Sequence, residues 1–97
     1  MKKYTVKWEE IYRKVETIKR NLIDKNSKIF GIGISGQIIA GLTGNAVEYP
    51  ENAVIIVHDI YDSGDTYKKW LKLYPEKEYV FLYNKQFEHK DEEIEFP

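Results

Sequence analysis

Val54-Ile55-Ile56-Val57-His58-Asp59-Ile60-Tyr61-Asp62-Ser63-Gly64-Asp65-Thr66 is the stretch from which the rest of the chain is read. It opens on four β-branched apolar residues without a polar break. Such a run predicts a strand covered on both faces, and so a parallel sheet between helices. An Asp-Ser-Gly-x-Thr turn follows, and Tyr67-Lys68-Lys69-Trp70-Leu71 continues in helical register. A helix that begins there leaves its first backbone N–H groups free, beside the hydroxyls of Ser63 and Thr66, which suits a phosphate. The carboxyl end of a strand is also where open α/β sheets take their ligands.

Outward from this segment the pattern repeats. Lys28 to Ile34 reads as a short buried strand, Ser35-Gly36-Gln37 as a turn, and Ile38 to Leu42 as a helix of about two turns. Glu78 to Tyr83 reads as a third strand. Asp65 to Tyr74 is a helix stopped by Pro75. Upstream, Trp8, Ile11, Tyr12, Val15, Ile18, Leu22 and Ile23 recur at helical spacing, which predicts one helix from Thr5 to Asn26. Thr43 to Asn52 is a loop with strand-like residues at Ala46 to Tyr49. Asn84 to Pro97 is a polar, acidic tail anchored by Phe87, Ile94 and Phe96. Helices alternating with strands give an α/β domain with a small, mainly parallel sheet flanked by helices. Its crossovers are expected to be right-handed.

Ninety-seven residues make a single domain over positions 1–97. Fifteen basic and 16 acidic residues are dispersed, without the basic stripe that nucleic acid requires. No cysteine is present, so neither a disulfide frame nor a thiolate metal site is expected. The two histidines, His58 and His89, supply no ligand cluster, and no metal site is assigned. No apolar run approaches a membrane span or a signal-peptide core, and a cytoplasmic location is the expectation.

With these units in place, the chain resembles a type I phosphoribosyltransferase, an enzyme that joins a nucleobase to the ribose 5-phosphate of phosphoribosyl pyrophosphate. The family signature is an apolar strand, two acids, two mostly apolar residues, then Asp/Thr-Thr/Ser-Gly-x-Thr. Ile55 to Thr66 matches it at all but one key position. Ile29-Phe30-Gly31-Ile32-Gly33-Ile34-Ser35-Gly36-Gln37-Ile38-Ile39-Ala40 is similar to the family's Ile-Val-Gly-Ile-x-Arg-Gly-Gly-x-Ile-Pro-Ala. Trp8-Glu9-Glu10-Ile11, Phe81 to Lys85, and Glu93 to Pro97 resemble segments of the xanthine/guanine-type members. The resemblance implies a truncated phosphoribosyltransferase-like fold. It implies a 5-phosphate cradle of Asp62, Ser63, Gly64, Asp65 and Thr66, and ribose contacts from His58 and Asp59. Ser35, Gly36 and Gln37 become the remnant of a pyrophosphate loop. Tyr61, Tyr83 and Lys85 are base-binding candidates, with Tyr49 a further tyrosine able to stack. Most of the tyrosines read as half-buried packing residues, and Lys85 reads by default as a surface lysine. Asp62 is either the group near the base that moves a proton or a turn-forming Asp.

The departures fall on chemistry. His58 takes the place of the first acid, Ile34 that of an Arg, and Ser35 that of a Gly. The eight residues from Asn45 to Asn52 are too few for the mobile catalytic loop, and the stacking aromatic expected near Glu92 or Glu93 is missing. An Arg on a pyrophosphate is a strong charge-assisted contact, and its loss weakens leaving-group stabilisation. Two readings stand. One is a protein that holds a ribose-5-phosphate-containing nucleotide or nucleotide-derived small molecule without turnover, sequestering or sensing a nucleotide signal. The other is an active minimal purine phosphoribosyltransferase, with Asp62 catalytic and Mg2+ accompanying phosphoribosyl pyrophosphate. Family members often pair, so a homodimer is part of the expectation, with no nucleic-acid or membrane partner.

Overall fold

The structure is a computed structural model that describes residues 2–22, 24 and 26–97. It is a small α/β domain. Strands β1 (Lys2–Thr5), β2 (Ile29–Gly31), β3 (Ile55–Tyr61), β4 (Glu78–Asn84) and β5 (Glu92–Glu95) alternate with helices α1 (Trp8–Arg20), α2 (Gly33–Thr43) and α3 (Asp65–Leu73). The central sheet has the order β2-β3-β4 and is parallel, with Ile29 opposite Ile55 and Val57 opposite Val80. A single parallel bridge from Ala46 to Ile29 extends it on the β2 side, where strand-like residues are expected.

Alternation along the strands sorts side chains onto two faces. Ile29, Ile55, Val57 and Leu82 join Ile11 and Val15 of α1 and Ile39 and Ala40 of α2 in one core cluster. Ile56, fully buried, points the other way. There the contacts are aromatic: Phe30 with Trp70, and Tyr67 with Tyr79 and Phe81, at centroid distances of 5.6, 5.2 and 5.5 Å. Burying each large aliphatic side chain contributes about 1.5–3 kcal/mol, so the aliphatic face dominates the stability. α3, which carries no fully buried residue, rides on rings.

Several expectations are corrected. The first helix begins at Trp8, because Lys2–Thr5 is a strand paired in parallel with Glu92–Glu95. Val6 continues that pairing through its N–H to the Glu95 carbonyl and is 1% exposed. Trp8 and Tyr12 lie outside the core, 42% and 50% exposed, stacked on each other. Ile23 lies outside the described residues. In the tail, which carries β5, Ile94 and Phe96 pack on the core while Phe87 is exposed and anchors nothing. Ser35, Gly36 and Gln37 are not a turn but lie within α2. Gly33, at φ +70°, turns the chain so sharply that the helix starts at once.

The small β1–β5 sheet is tied to β4 by one carboxylate. Glu10 on α1 accepts hydrogen bonds from the hydroxyls of Tyr4 and the fully buried Tyr83. His89 stacks on Tyr4 at 4.0 Å and bonds Glu92 at 2.9 Å. The Glu10 bond, with burial second, raises the Tyr4 phenol above its ordinary value of 10.0. A phenol raised in the folded state stabilises the protein fully below the unfolded value, and that contribution is lost as pH climbs through the folded one. Unfolding in urea at pH 8 and pH 11 should therefore show a fall in stability that is smaller in Tyr4→Phe. Equal falls would mean that Glu10 does not hold the Tyr4 proton.

Candidate functional site

β3 is fully buried at Ile55, Ile56 and Val57 and half-buried from His58 to Tyr61, so the strand carries its polar residues out of the core at its carboxyl end. The chain then turns through exposed Asp62 and Ser63 to Gly64, at φ +87°, and α3 begins at Asp65. The Ser63 hydroxyl accepts from the Asp65 N–H at 3.3 Å. The first bond into the helix runs from Lys68 N–H to the Gly64 carbonyl at 2.9 Å, and the N–H groups of Thr66 and Tyr67 meet no backbone acceptor among the described residues. Gly64, the N-cap residue, has no side chain to offer, and among the described residues Ser63 supplies the side-chain contact to the α3 N-terminus while the Thr66 hydroxyl makes none. Two free donors and a free hydroxyl at a helix N-terminus are suited to an anion, although Asp62 and Asp65 oppose one.

A cavity of about 220 Å³ opens beside this turn, lined by residues Asp62 to Thr66 with His58, Ile60, Tyr61, Tyr67 and Phe81. A larger cleft, about 580 Å³, lies toward the amino ends of β3 and β4 against α1, away from every site candidate except its Phe81 edge. The smaller cavity is the one lined by the turn and the candidate residues around it.

The structure brings some candidates together and not others. Lys85 follows β4, and its N–H donates to the Tyr61 carbonyl at 2.8 Å. Its ammonium stands 3.6 Å from the Asp62 carboxylate, with a side chain only 12% exposed against 71% for Asp62. The surface-lysine reading is thereby corrected. His58 Nε2 lies 3.2 Å from Asp59 Oδ1, and that oxygen also accepts the Ile60 N–H at 2.8 Å. Asp59 is thus folded back on its own strand and does not line the cavity. His58 does line it, but its Nδ1 is buried without a hydrogen-bond partner among the described residues.

Tyr83 is out of reach of a base: its ring is 0% exposed and its hydroxyl is engaged by Glu10. Tyr49 is exposed in the loop before a short 3-10 turn at Pro50–Asn52. Ser35, Gly36 and Gln37 do not line the cavity, and Gly36 has a packing task. A Cβ there would stand 3.1 Å from the Val57 carbonyl oxygen. Ile34, in the first turn of α2, is 79% exposed. Gly64 is required by the fold itself, since a Cβ would meet the Tyr61 hydroxyl at 2.6 Å in a left-handed conformation. A Gly64 substitution would therefore damage the turn with or without a ligand role.

Among the described residues no three His, Cys, Asp or Glu side chains are placed to hold a metal ion, and no helix is long and apolar enough to cross a membrane. Sequence reasoning missed Tyr67 as a lining residue. Its signal was available, since it is the third residue of a helix that starts at Asp65. No protein-family model matches the chain, and no curated protein matches it significantly.

Proposed function

We propose that this protein holds a ribose-5-phosphate-containing nucleotide or nucleotide-derived small molecule and does not turn it over. In this reading it is a reduced phosphoribosyltransferase-like domain. The Ser63–Thr66 turn takes the 5-phosphate, and the Asp62–Lys85 pair takes polar edges of the base. The observation that carries the reading is Lys85. Its side chain is 12% exposed and its ammonium lies 3.6 Å from the Asp62 carboxylate, so the two are held together at the carboxyl ends of β3 and β4. The lysine stands beside the turn that has N–H donors to offer.

Two further observations favour holding over turnover. Ile34 presents an apolar side chain where the family's pyrophosphate-binding Arg would be. Residues Asn45 to Asn52 are taken up by the Ala46 bridge and the 3-10 turn, which leaves no length for a loop that closes over a reaction.

Calorimetry with GMP, XMP and AMP tests the reading. Uptake of at least one is expected, with no product from guanine, xanthine or hypoxanthine in the presence of phosphoribosyl pyrophosphate and Mg2+. Lys85→Met should weaken that uptake by about 1.5–3 kcal/mol, the usual value of a hydrogen bond to a charged group. Turnover well above trace would replace this reading with the salvage enzyme. Unchanged affinity in Lys85→Met would remove the lysine from the site.

A further inference from the structure

Gly64 is buried although Asp62, Ser63, Asp65 and Thr66 around it are exposed. What covers it is the Tyr61 phenol, whose hydroxyl oxygen would stand 2.6 Å, and whose Cζ 3.0 Å, from a Cβ at that position. The ring is held there edge-on by Phe81 at 5.1 Å and tilted against Tyr67 at 5.9 Å. Its surroundings are thus unlike those of an open stacking platform. The hydroxyls of Tyr4, Tyr74, Tyr79 and Tyr83 all donate to protein acceptors. No such acceptor is found among the described residues for Tyr12, Tyr49, Tyr61 or Tyr67; of these Tyr61 and Tyr67 line the cavity, and the Tyr61 hydroxyl is the one that lies over Gly64 in the turn that carries the free N–H groups of Thr66 and Tyr67.

We infer that Tyr61 is a specificity-determining residue of this site and that its hydroxyl donates a hydrogen bond to the ligand's phosphate at the turn. The inference rests on the nucleotide-holding reading above and gives one residue of that site a different task, reading phosphate and not base. A neutral donor from Tyr61 would add to the free N–H groups of Thr66 and Tyr67 on the same side of the turn. An O–H directed at an anionic oxygen is short and strong compared with a neutral pair.

Tyr61→Phe keeps the ring over Gly64 and removes only the hydroxyl. Ribose 5-phosphate and ribose serve as probes, followed by the backbone amide resonances of residues 63–67 in solution. Wild-type protein should bind ribose 5-phosphate at these amides. Tyr61→Phe should bind it roughly 10- to 100-fold more weakly, with ribose affected no more than in the wild type. The thermal midpoint should not move, because the hydroxyl has no internal partner to lose. Equal affinity in wild type and Tyr61→Phe overturns the assignment and leaves the turn as a phosphate site. Unchanged binding in Tyr61→Phe with tighter binding in Tyr61→Ala identifies the ring as a stopper and also overturns it. No response of the wild-type amides to ribose 5-phosphate or GMP overturns both the assignment and the reading beneath it.

Discussion

Gly31→Ala is expected to remove about 3 kcal/mol or more of folding stability, a large part of what a chain of this length has. A Cβ at Gly31 would stand 2.0 Å from the Gly36 carbonyl oxygen and 2.5 Å from the Gln37 nitrogen. Both are backbone atoms of the first turns of α2, so no side chain can rotate away. The strand cannot retreat either. Gly31 is paired with Val57, and the next N–H, of Ile32, donates to the Val57 carbonyl at 2.9 Å. Relief would require α2 to lift off the sheet, taking Ile39 and Ala40 out of the core. Gly41→Ala, in the same helix, is the matched control. Nothing lies within 4 Å of its added methyl, and the helix gains roughly 0.5–1 kcal/mol from a residue that prefers it. Urea unfolding of the two variants should shift in opposite directions. A Gly31→Ala midpoint within experimental error of wild type would show that the helix does not approach the strand so closely.

The central sheet was legible because its evidence is local. Val54 to Val57 and Tyr79 to Tyr83 are apolar over enough residues to read as strands, the first covered on both faces. The turn at Asp62 to Gly64 and the start of α3 at Asp65 follow from turn residues in fixed order. β1 and β5 were not legible, for a different reason. Lys2–Thr5 presents only Tyr4 inward, and Glu92–Glu95 only Ile94. Neither four-residue segment is a strand without the other, and their partners lie 90 positions apart in the chain. The periodic run from Trp8 onward then pulled the predicted helix back over Thr5, Val6 and Lys7. At α2 the error was of another kind. Lys28 to Ile34 reads as one strand and Ser35-Gly36-Gln37 as a turn, whereas the strand ends at Gly31, the helix begins at Gly33, and Gly31 and Gly36 bring helix and strand into contact.

The candidate site divides in the same way. Ser63 and Gly64 lie in the turn and Thr66 in the first turn of α3, since neighbours in sequence stay neighbours in a turn. The burial of Lys85 and its approach to Asp62 depend on β3 and β4 ending side by side, which the register decides. Tyr83 was misread because an aromatic at a strand end is equally fit for a ligand and for a core. What assigns it to the core is a carboxylate 73 positions earlier.

That carboxylate carries the second large effect. Glu10→Ala is expected to cost about 1–3 kcal/mol from the fully buried Tyr83 hydroxyl and less from the half-buried Tyr4, which lose their acceptor together. Each buried hydroxyl left unsatisfied costs about 1–3 kcal/mol. Lys14, whose ammonium lies 4.3 Å from the Tyr83 ring centroid, cannot take over, since it has no acceptor to give. Glu10→Gln should cost less, because the amide keeps an acceptor oxygen and a tyrosine hydroxyl can rotate to accept from its NH2. Tyr83→Phe combined with Glu10→Ala closes the cycle. The double variant should be more stable than the sum of the single losses predicts, by about 1 kcal/mol or more, because the buried hydroxyl that needed Glu10 is gone with it. Strict additivity in urea unfolding would mean that Glu10 does not hold Tyr83. The small β1–β5 sheet would then be fastened to the domain through the Tyr4–Glu10 bond and the packing of Val6, Ile94, Tyr4 and Phe96 on the core.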